Sequence, residues 1–221
     1  MEGILVVDKP SGMTSHDVVA RARRKLRIRR IGHAGTLDPL ATGVLVLLVG
    51  KATKLFDKFV SFDKAYQATM RLGLRTVSAD IQGEVLSEQD PSGISRSQVE
   101  SVLERFVGDI DQVPPMVSAV KHKGERLYKL ARKGVSVERT PRRVRIDVLK
   151  LQDFDHPFVK FYLECSKGTY VRQVAEDAGE LLGCGACITE IRRVRVGPFS
   201  ISAAVSLEDI NESHIKDWAV R

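Results

Sequence analysis

The chain has 221 residues, 43% of them hydrophobic and 29% charged, a size that fits one sizeable domain with a self-sufficient core. That balance excludes collagen, coiled coil and disorder. The 35 basic and 28 acidic residues leave a net charge of +7, a pull toward polyanions such as nucleic acid or an anionic membrane surface.

The N-terminus runs from Met1-Glu2-Gly3 straight into Ile4-Leu5-Val6-Val7, without the basic start, long apolar stretch and cleavage site of a secretory signal, so a cytoplasmic address is expected. Gly3–Val7 reads as a buried strand. Thr14 or Ser15 is placed to cap a helix with Val18, Val19, Ala22 and Leu26 on its inner face. A loop holding Asp38 follows. Val44–Val49 is the longest unbroken apolar run, a buried strand far short of the roughly 20 residues that span a bilayer. Tyr66, Ala68, Met70 and Leu72 alternate along a further strand.

Asp90-Pro91-Ser92-Gly93 forms a turn, after which Ser95 and Gln98 make a capping box for a helix carrying Val99, Val102, Leu103 and Phe106. Val144, Ile146 and Val148 alternate with charged residues, and Val159, Phe161, Leu163 and Cys165 repeat the pattern, predicting two strands. From Tyr170 onward, Val171, Val174, Ala175, Ala178 and Leu182 mark a helix ending at Gly183, before a last strand near Ile188–Val196. Strands and helices mix without regular alternation, which favours an α+β sheet with flanking helices over a doubly wound parallel fold. No domain boundary is evident, so a single domain over residues 1–221 is expected.

The odd count of 3 cysteines fits a reducing compartment. Cys184-Gly-Ala-Cys187 has the spacing of half a zinc site, but no second pair accompanies it and the histidines are isolated in sequence. No structural metal is expected. Positive charge gathers in separate segments: Arg21–Arg30, Lys121–Lys133, Arg139–Arg145 and the group Arg192, Arg193 and Arg195. Converging on one groove, these would neutralise phosphates. Aromatic residues are only 6% of the chain, which argues against a platform for stacking long single strands and for recognition of a folded RNA by its shape.

The densest motif is Gly32-His33-Ala34-Gly35-Thr36-Leu37-Asp38-Pro39-Leu40-Ala41-Thr42-Gly43. Its glycines permit tight turns, and Asp38 before a proline suits either a turn or a catalytic carboxylate. This segment resembles the catalytic loop of the TruB-type pseudouridine synthases, enzymes that make pseudouridine 55 in tRNA. Further similar blocks are Asp8-Lys9-Pro10-Ser11-Gly12-Met13-Thr14-Ser15, Lys64-Ala65-Tyr66 followed by Leu72-Gly73, and Gln112-Val113-Pro114-Pro115 with Ser118-Ala119 and Lys121. Two more are Gly124–Gly134, with Leu127-Tyr128 and Ala131-Arg132, and Cys165-Ser166-Lys167-Gly168-Thr169-Tyr170-Val171-Arg172. The blocks run in order from about Gly3 to Leu207.

The resemblance implies the pseudouridine synthase fold, a mixed and mainly antiparallel sheet flanked by helices with the RNA-binding cleft across it. It implies Asp38 as the catalytic aspartate, Tyr66 as the ring packed on the target base and Arg172 as the partner of the aspartate. Breaking C1′–N1, turning the uracil and joining C1′–C5 asks for an ionised carboxylate as nucleophile or as stabiliser of sugar cation character, with no cofactor. Arg172 would oppose the neutralisation that burial brings. Tyr170 and Ile191 match pocket-lining positions, where an apolar wall excludes water. His33 matches a histidine that takes part in flipping the uridine out of its stack, with a loop-organising hydrogen bond as its ordinary alternative. Lys9, counted with the substrate-binding residues, matches a supporting element with no chemistry of its own.

The partners implied are the T-stem and T-loop of tRNA, with no membrane and no metal, and the protein acting as a monomer. Two departures stand out. Thr76-Val77-Ser78 replaces a Thr-Asp-Thr before Asp80, removing an acidic contact, and a small C-terminal domain of the PUA kind is expected to be absent. The alternatives are a guide-RNA-dependent relative, a tRNA-binding module without chemistry, and a glycoside or nucleoside hydrolase, which would need a second carboxylate.

Overall fold

Alternation, capping residues and one continuous apolar run determine where this chain forms strands and helices. The computed structural model describes residues 1–118, 120–122 and 124–218, leaving aside the side chains of Lys121 and Arg132. Ala119, part of a block noted above, lies outside the described residues, as do those two side chains.

In chain order the first elements are β1 (Gly3–Lys9), α1 (Ser15–Leu26), β2 (Ile31–Ala34), β3 (Thr42–Val49), α2 (Phe56–Val60) and β4 (Lys64–Leu72). Next come β5 (Leu74–Thr76), β6 (Val85–Glu88), α3 (Arg96–Glu104), β7 (Gly108–Gln112), β8 (Lys121–His122), β9 (Glu125–Arg126) and α4 (Leu127–Arg132). The last are β10 (Arg142–Asp155), β11 (Phe158–Cys165), α5 (Val171–Leu181), β12 (Ala186–Val196), β13 (Phe199–Ser200) and β14 (Val205–Ser206). They fall into two compact units, Met1–Gln67 with Glu190–Arg221, and Ala68–Thr189. The chain changes unit along β4 and again along β12.

In the first unit β3 is central. β1 and β2 both run antiparallel to it, from Gly3 opposite Val49 to Lys9 opposite Gly43 on β1, and from Ile31 opposite Val49 to Ala34 opposite Val46 on β2. β12 joins in parallel at Arg192 and Arg193 opposite Thr42 and Gly43, and β14 lies parallel to β1. A central strand covered on both faces reads as unbroken apolar sequence, and every residue from Gly43 to Val49 is buried. Val44, Val46 and Leu48 pack with Ile4, Ala34, Ala52, Phe59 and Val196, while Leu45, Leu47 and Val49 are equally buried. α1 begins with Thr14 in a reciprocal capping box with Asp17, and its buried residues are Ser15, Val18, Val19, Ala22 and Leu26. The stretch at Ile31–Ala34, expected within a loop, is the strand β2. Its pairing with β3 is a tertiary choice that four residues without alternation do not announce.

In the second unit the order is β4–β11–β10–β7, with β10 antiparallel to both β11 and β7. Val144 and Ile146 point inward as expected, but a register shift between Ile146 and Val148 makes Leu149 the next buried residue. A bulge of this kind turns the strand by one position. α3 has the Ser95–Gln98 capping box and buries Val99, Val102 and Leu103. α5 ends before Gly183, whose φ of +79° suits the turn there. A Cβ on Gly179 would lie 2.1 Å from the Ala186 nitrogen, so the chain after α5 folds back against it. The Cys184 and Cys187 thiols are buried in that return, and burial pushes Cys187 up to about 11. Among the described residues no helix is long and apolar enough to cross a membrane.

Candidate active site

Asp38 sits half-buried between β2 and β3 on a loop whose main-chain carbonyls are turned inward to donors from elsewhere in the first unit. The Gly35 carbonyl accepts from Arg193 at 3.0 Å and the Leu37 carbonyl from the Ser15 hydroxyl at 3.1 Å. The Pro39 carbonyl accepts from the Gly12 amide at 2.8 Å and from Lys9 Nζ at 3.3 Å. Leu40 accepts from Ser11 at 3.3 Å, and Ala41 from Lys9 Nζ at 2.6 Å. Ser15 also receives the Leu37 amide at 2.9 Å, so one buried hydroxyl holds both main-chain groups of the residue before Asp38. A loop with its backbone satisfied in this way keeps its shape without a regular ladder.

Lys9 is fully buried, with Nζ also donating to the Pro10 carbonyl at 2.8 Å. Burial pushes its ammonium down to about 8, the Asp38 carboxylate pulling the other way and Arg193 adding to the fall. His33, on β2, meets His16 edge-on with ring centroids 5.1 Å apart, and its Nδ1 is buried without a hydrogen-bond partner. Burial first, then His16 and Arg193, push its imidazole down to about 4, so His33 is neutral at physiological pH. Tyr66 lies on β4 at 8% exposure, and Ile191 is half-buried on β12.

Tyr170 and Arg172 belong to the second unit, at the start of α5. Gln112, at the end of β7 and 2% exposed, receives the Tyr170 amide at 2.8 Å and donates to the Tyr170 carbonyl at 3.1 Å. Arg172 is buried rather than on the helix surface, at 4% exposure. Its guanidinium donates to the Ser78 carbonyl at 2.5 Å and the Val117 carbonyl at 2.8 Å, and Nε lies 3.8 Å from the Asp80 carboxylate. Asp80 is held in turn by the Ser78 hydroxyl at 2.8 Å and the Gln82 amide at 3.1 Å. In the departing segment Val77 is 47% exposed, while the acid that remains, Asp80, faces Arg172.

The residues that sequence reasoning passed over are Ser15, Asp80, Gln112 and Arg193. Ser15 follows the residue that caps α1, Asp80 stands in a segment read for what it had lost, and Gln112 lies within a block matched only as a block. Arg193 was grouped with Arg192 and Arg195 as a surface charge, yet it is 1% exposed and bonded to main-chain carbonyls. Arg192 is the half-exposed member and pairs with Asp8 at 2.7 Å. Among the described residues, no group of three or more His, Cys, Asp or Glu side chains is placed to hold a metal ion.

Residues 23–171 match the family model of the TruB family pseudouridylate synthase N-terminal domain, and residues 172–218 that of the tRNA pseudouridylate synthase B C-terminal domain. The chain is 50% identical over 210 residues to tRNA pseudouridine synthase B of Syntrophotalea carbinolica, covering 95% of this chain and 69% of that protein. It is 45% identical over 220 residues to the tRNA pseudouridine synthase B of Clostridium tetani, covering 100% of this chain and 76% of the relative. Among solved structures, the crystal structure of a Cbf5-Nop10-Gar1 complex is similar with a TM-score of 0.74 at 31% identity, over 94% of this chain and 53% of that one. The chain thus spans about half the length of that solved chain.

Proposed function

Since the chain belongs to the TruB family of tRNA pseudouridine synthases and forms pseudouridine 55 in the T-loop of tRNA, we propose that Asp38 is the nucleophile of that isomerisation. The observation that carries this reading is the loop itself: Asp38 is the carboxylate at the centre of a segment whose carbonyls are tied at Gly35, Leu37, Pro39, Leu40 and Ala41. A rigidly presented acid suits attack on C1′, where geometry within about 1 Å decides the rate.

The target uridine leaves its stack at a cost of a few kcal/mol. The Asp38 carboxylate bonds to C1′ as the C1′–N1 bond breaks and the uracil leaves with that electron pair. The uracil turns, C5 attacks C1′ as the C1′–Asp38 bond breaks, and the C5 proton is lost while N1 takes one up, restoring the ring. Tyr66 holds the detached base by its ring, and its hydroxyl is placed in the proposal to assist loss of that proton. Arg172 is assigned as the cation that keeps the acid ionised, an assignment resting on the family resemblance and supported by the fixed, buried guanidinium of its own unit. His33, neutral at physiological pH, fills space vacated in the RNA without adding charge. Tyr170 and Ile191 form the apolar wall, and Lys9 supports the loop. The T-stem and T-loop are the arm gripped, by a protein acting as a monomer in the cytoplasm.

The likeness to a Cbf5-Nop10-Gar1 complex favours a second reading, a guide-RNA-dependent subunit. Identity of 50% to a tRNA enzyme against 31% to that structure supports the first. A tRNA transcript labelled with tritium at C5 of uridine separates them: the protein alone should release label and leave pseudouridine at position 55. No release without added guide RNA and proteins would contradict the proposal.

A further inference from the structure

We infer that Arg193 is a positioning residue for the loop that carries Asp38, joining the two ends of that loop from below, and does not contact RNA. The inference rests on the proposed role of Asp38. Arg193 stands between Arg192 and Arg195 in a chain of net charge +7, where a count of charges assigns it to phosphate binding. Its placement contradicts that assignment, because the residue is 1% exposed.

Arg193 Nε donates to the Val44 carbonyl at 2.8 Å and one terminal nitrogen to the Gly35 carbonyl at 3.0 Å. Gly35 and Val44 lie on either side of Asp38 in the sequence, so a single guanidinium spans the base of the loop. The main chain of Arg193 closes the same junction. It pairs in parallel with Gly43, and a Cβ on Gly43 would lie 2.2 Å from the Arg193 carbonyl oxygen. Gly43 also has a φ of +98°, which L side chains rarely adopt. Side chain and backbone of one residue thereby set where the loop leaves β2 and enters β3.

Among the described residues no carboxylate forms an ion pair with Arg193. A guanidinium taken from water and satisfied by carbonyls alone is a poor device for stability, since apolar residues of similar volume pack as well or better. It is a good device for geometry: its planar fork offers divergent donors to two carbonyls at once, which an ammonium on a flexible stem does not fix in the same way. Arg193 is close enough to Lys9 and His33 to push both of their pKa values down, consistent with a cation lodged beneath the loop.

The test uses the full chain and a tRNA transcript. Arg193→Lys keeps the charge but loses the planar fork that reaches the Gly35 and Val44 carbonyls, and should lower the single-turnover rate at saturating tRNA by about 10²-fold, with Kd for tRNA and its salt dependence unchanged. Rates are compared well below each thermal midpoint, with folding checked by circular dichroism. An unchanged rate in folded Arg193→Lys would overturn the inference by reducing Arg193 to packing. So would a weaker Kd with a salt slope smaller by about one, the signature of a lost phosphate contact. Should Arg193→Lys fail to fold, Gly43→Ala presses on the same junction from the other side and should show the same loss of rate with unchanged affinity; loss of affinity instead overturns the inference. An active Asp38→Asn would defeat the nucleophile assignment, whereas inactive Asp38→Asn with fully active Arg193→Lys defeats the positioning role alone.

Discussion

The first unit carries a carboxylate and the second a guanidinium, and the groups fixed around each are of the opposite polarity. Around Asp38 the fixed elements are cations, Lys9 and Arg193, which grip the loop by its carbonyls. Around Arg172 the fixed elements are oxygens, the Ser78 and Val117 carbonyls and the Asp80 carboxylate. Each unit also uses one buried neutral side chain that both donates to and accepts from a single residue's backbone, Ser15 on Leu37 and Gln112 on Tyr170. The difference lies in how the functional group is held. Arg172 is gripped directly through its own guanidinium, whereas Lys9, Ser11, Ser15 and Arg193 act on the main chain of the loop that carries Asp38. In the role proposed for Asp38, the reacting group is positioned through the main chain of its loop.

The largest effect expected from breaking the comparison is on the side that is gripped directly. Arg172→Lys removes the fork that reaches two carbonyls and a carboxylate, and the isomerisation rate should fall by about 10²-fold or more, measured as single-turnover C5 hydrogen release. Next are the two neutral clamps. Ser15→Ala leaves both main-chain groups of Leu37 without their partner, and Gln112→Leu does the same for Tyr170; each should cost about 1–3 kcal/mol in urea unfolding.

A smaller effect belongs to His33. Its folded imidazole protonates near 4, while an unfolded one protonates near 6.5. Between those values the unfolded chain binds more protons, so stability falls as pH drops from about 6.5 toward 4. His33→Gln should flatten that part of the pH profile of the urea midpoint relative to the parent protein. The smallest effect is expected at Arg21 and Glu208, an exposed pair 2.6 Å apart. Glu208→Gln should shift stability by less than about 1 kcal/mol and leave turnover intact.

Much of the frame was legible in the residues. Thr14 caps α1 and the inner face is the expected one; the alternation from Tyr66 to Leu72 is a strand, and the apolar run at Val44–Val49 is the central one. These are local signals, each set by neighbours within a turn or two. The clamps were not legible because their partners are main-chain groups far along the chain. Arg193 reaches back 149 and 158 residues to Val44 and Gly35, and Gln112 forward 58 to Tyr170. Nothing in a side chain's identity says that it will bind a distant carbonyl, and a buried arginine beside an exposed one looks like a basic pair. The bulge that makes Leu149 the inward residue in place of Val148 escaped for the same reason: it is set by pairing with β11.

The central claim is that Asp38 does chemistry and not RNA binding. The measurement that tests it most directly is tRNA affinity and pseudouridine yield of Asp38→Asn, taken side by side with the parent protein. The account predicts a tRNA Kd within a few-fold of the parent and no detectable product; pseudouridine formed by the variant at the parent's rate would contradict it.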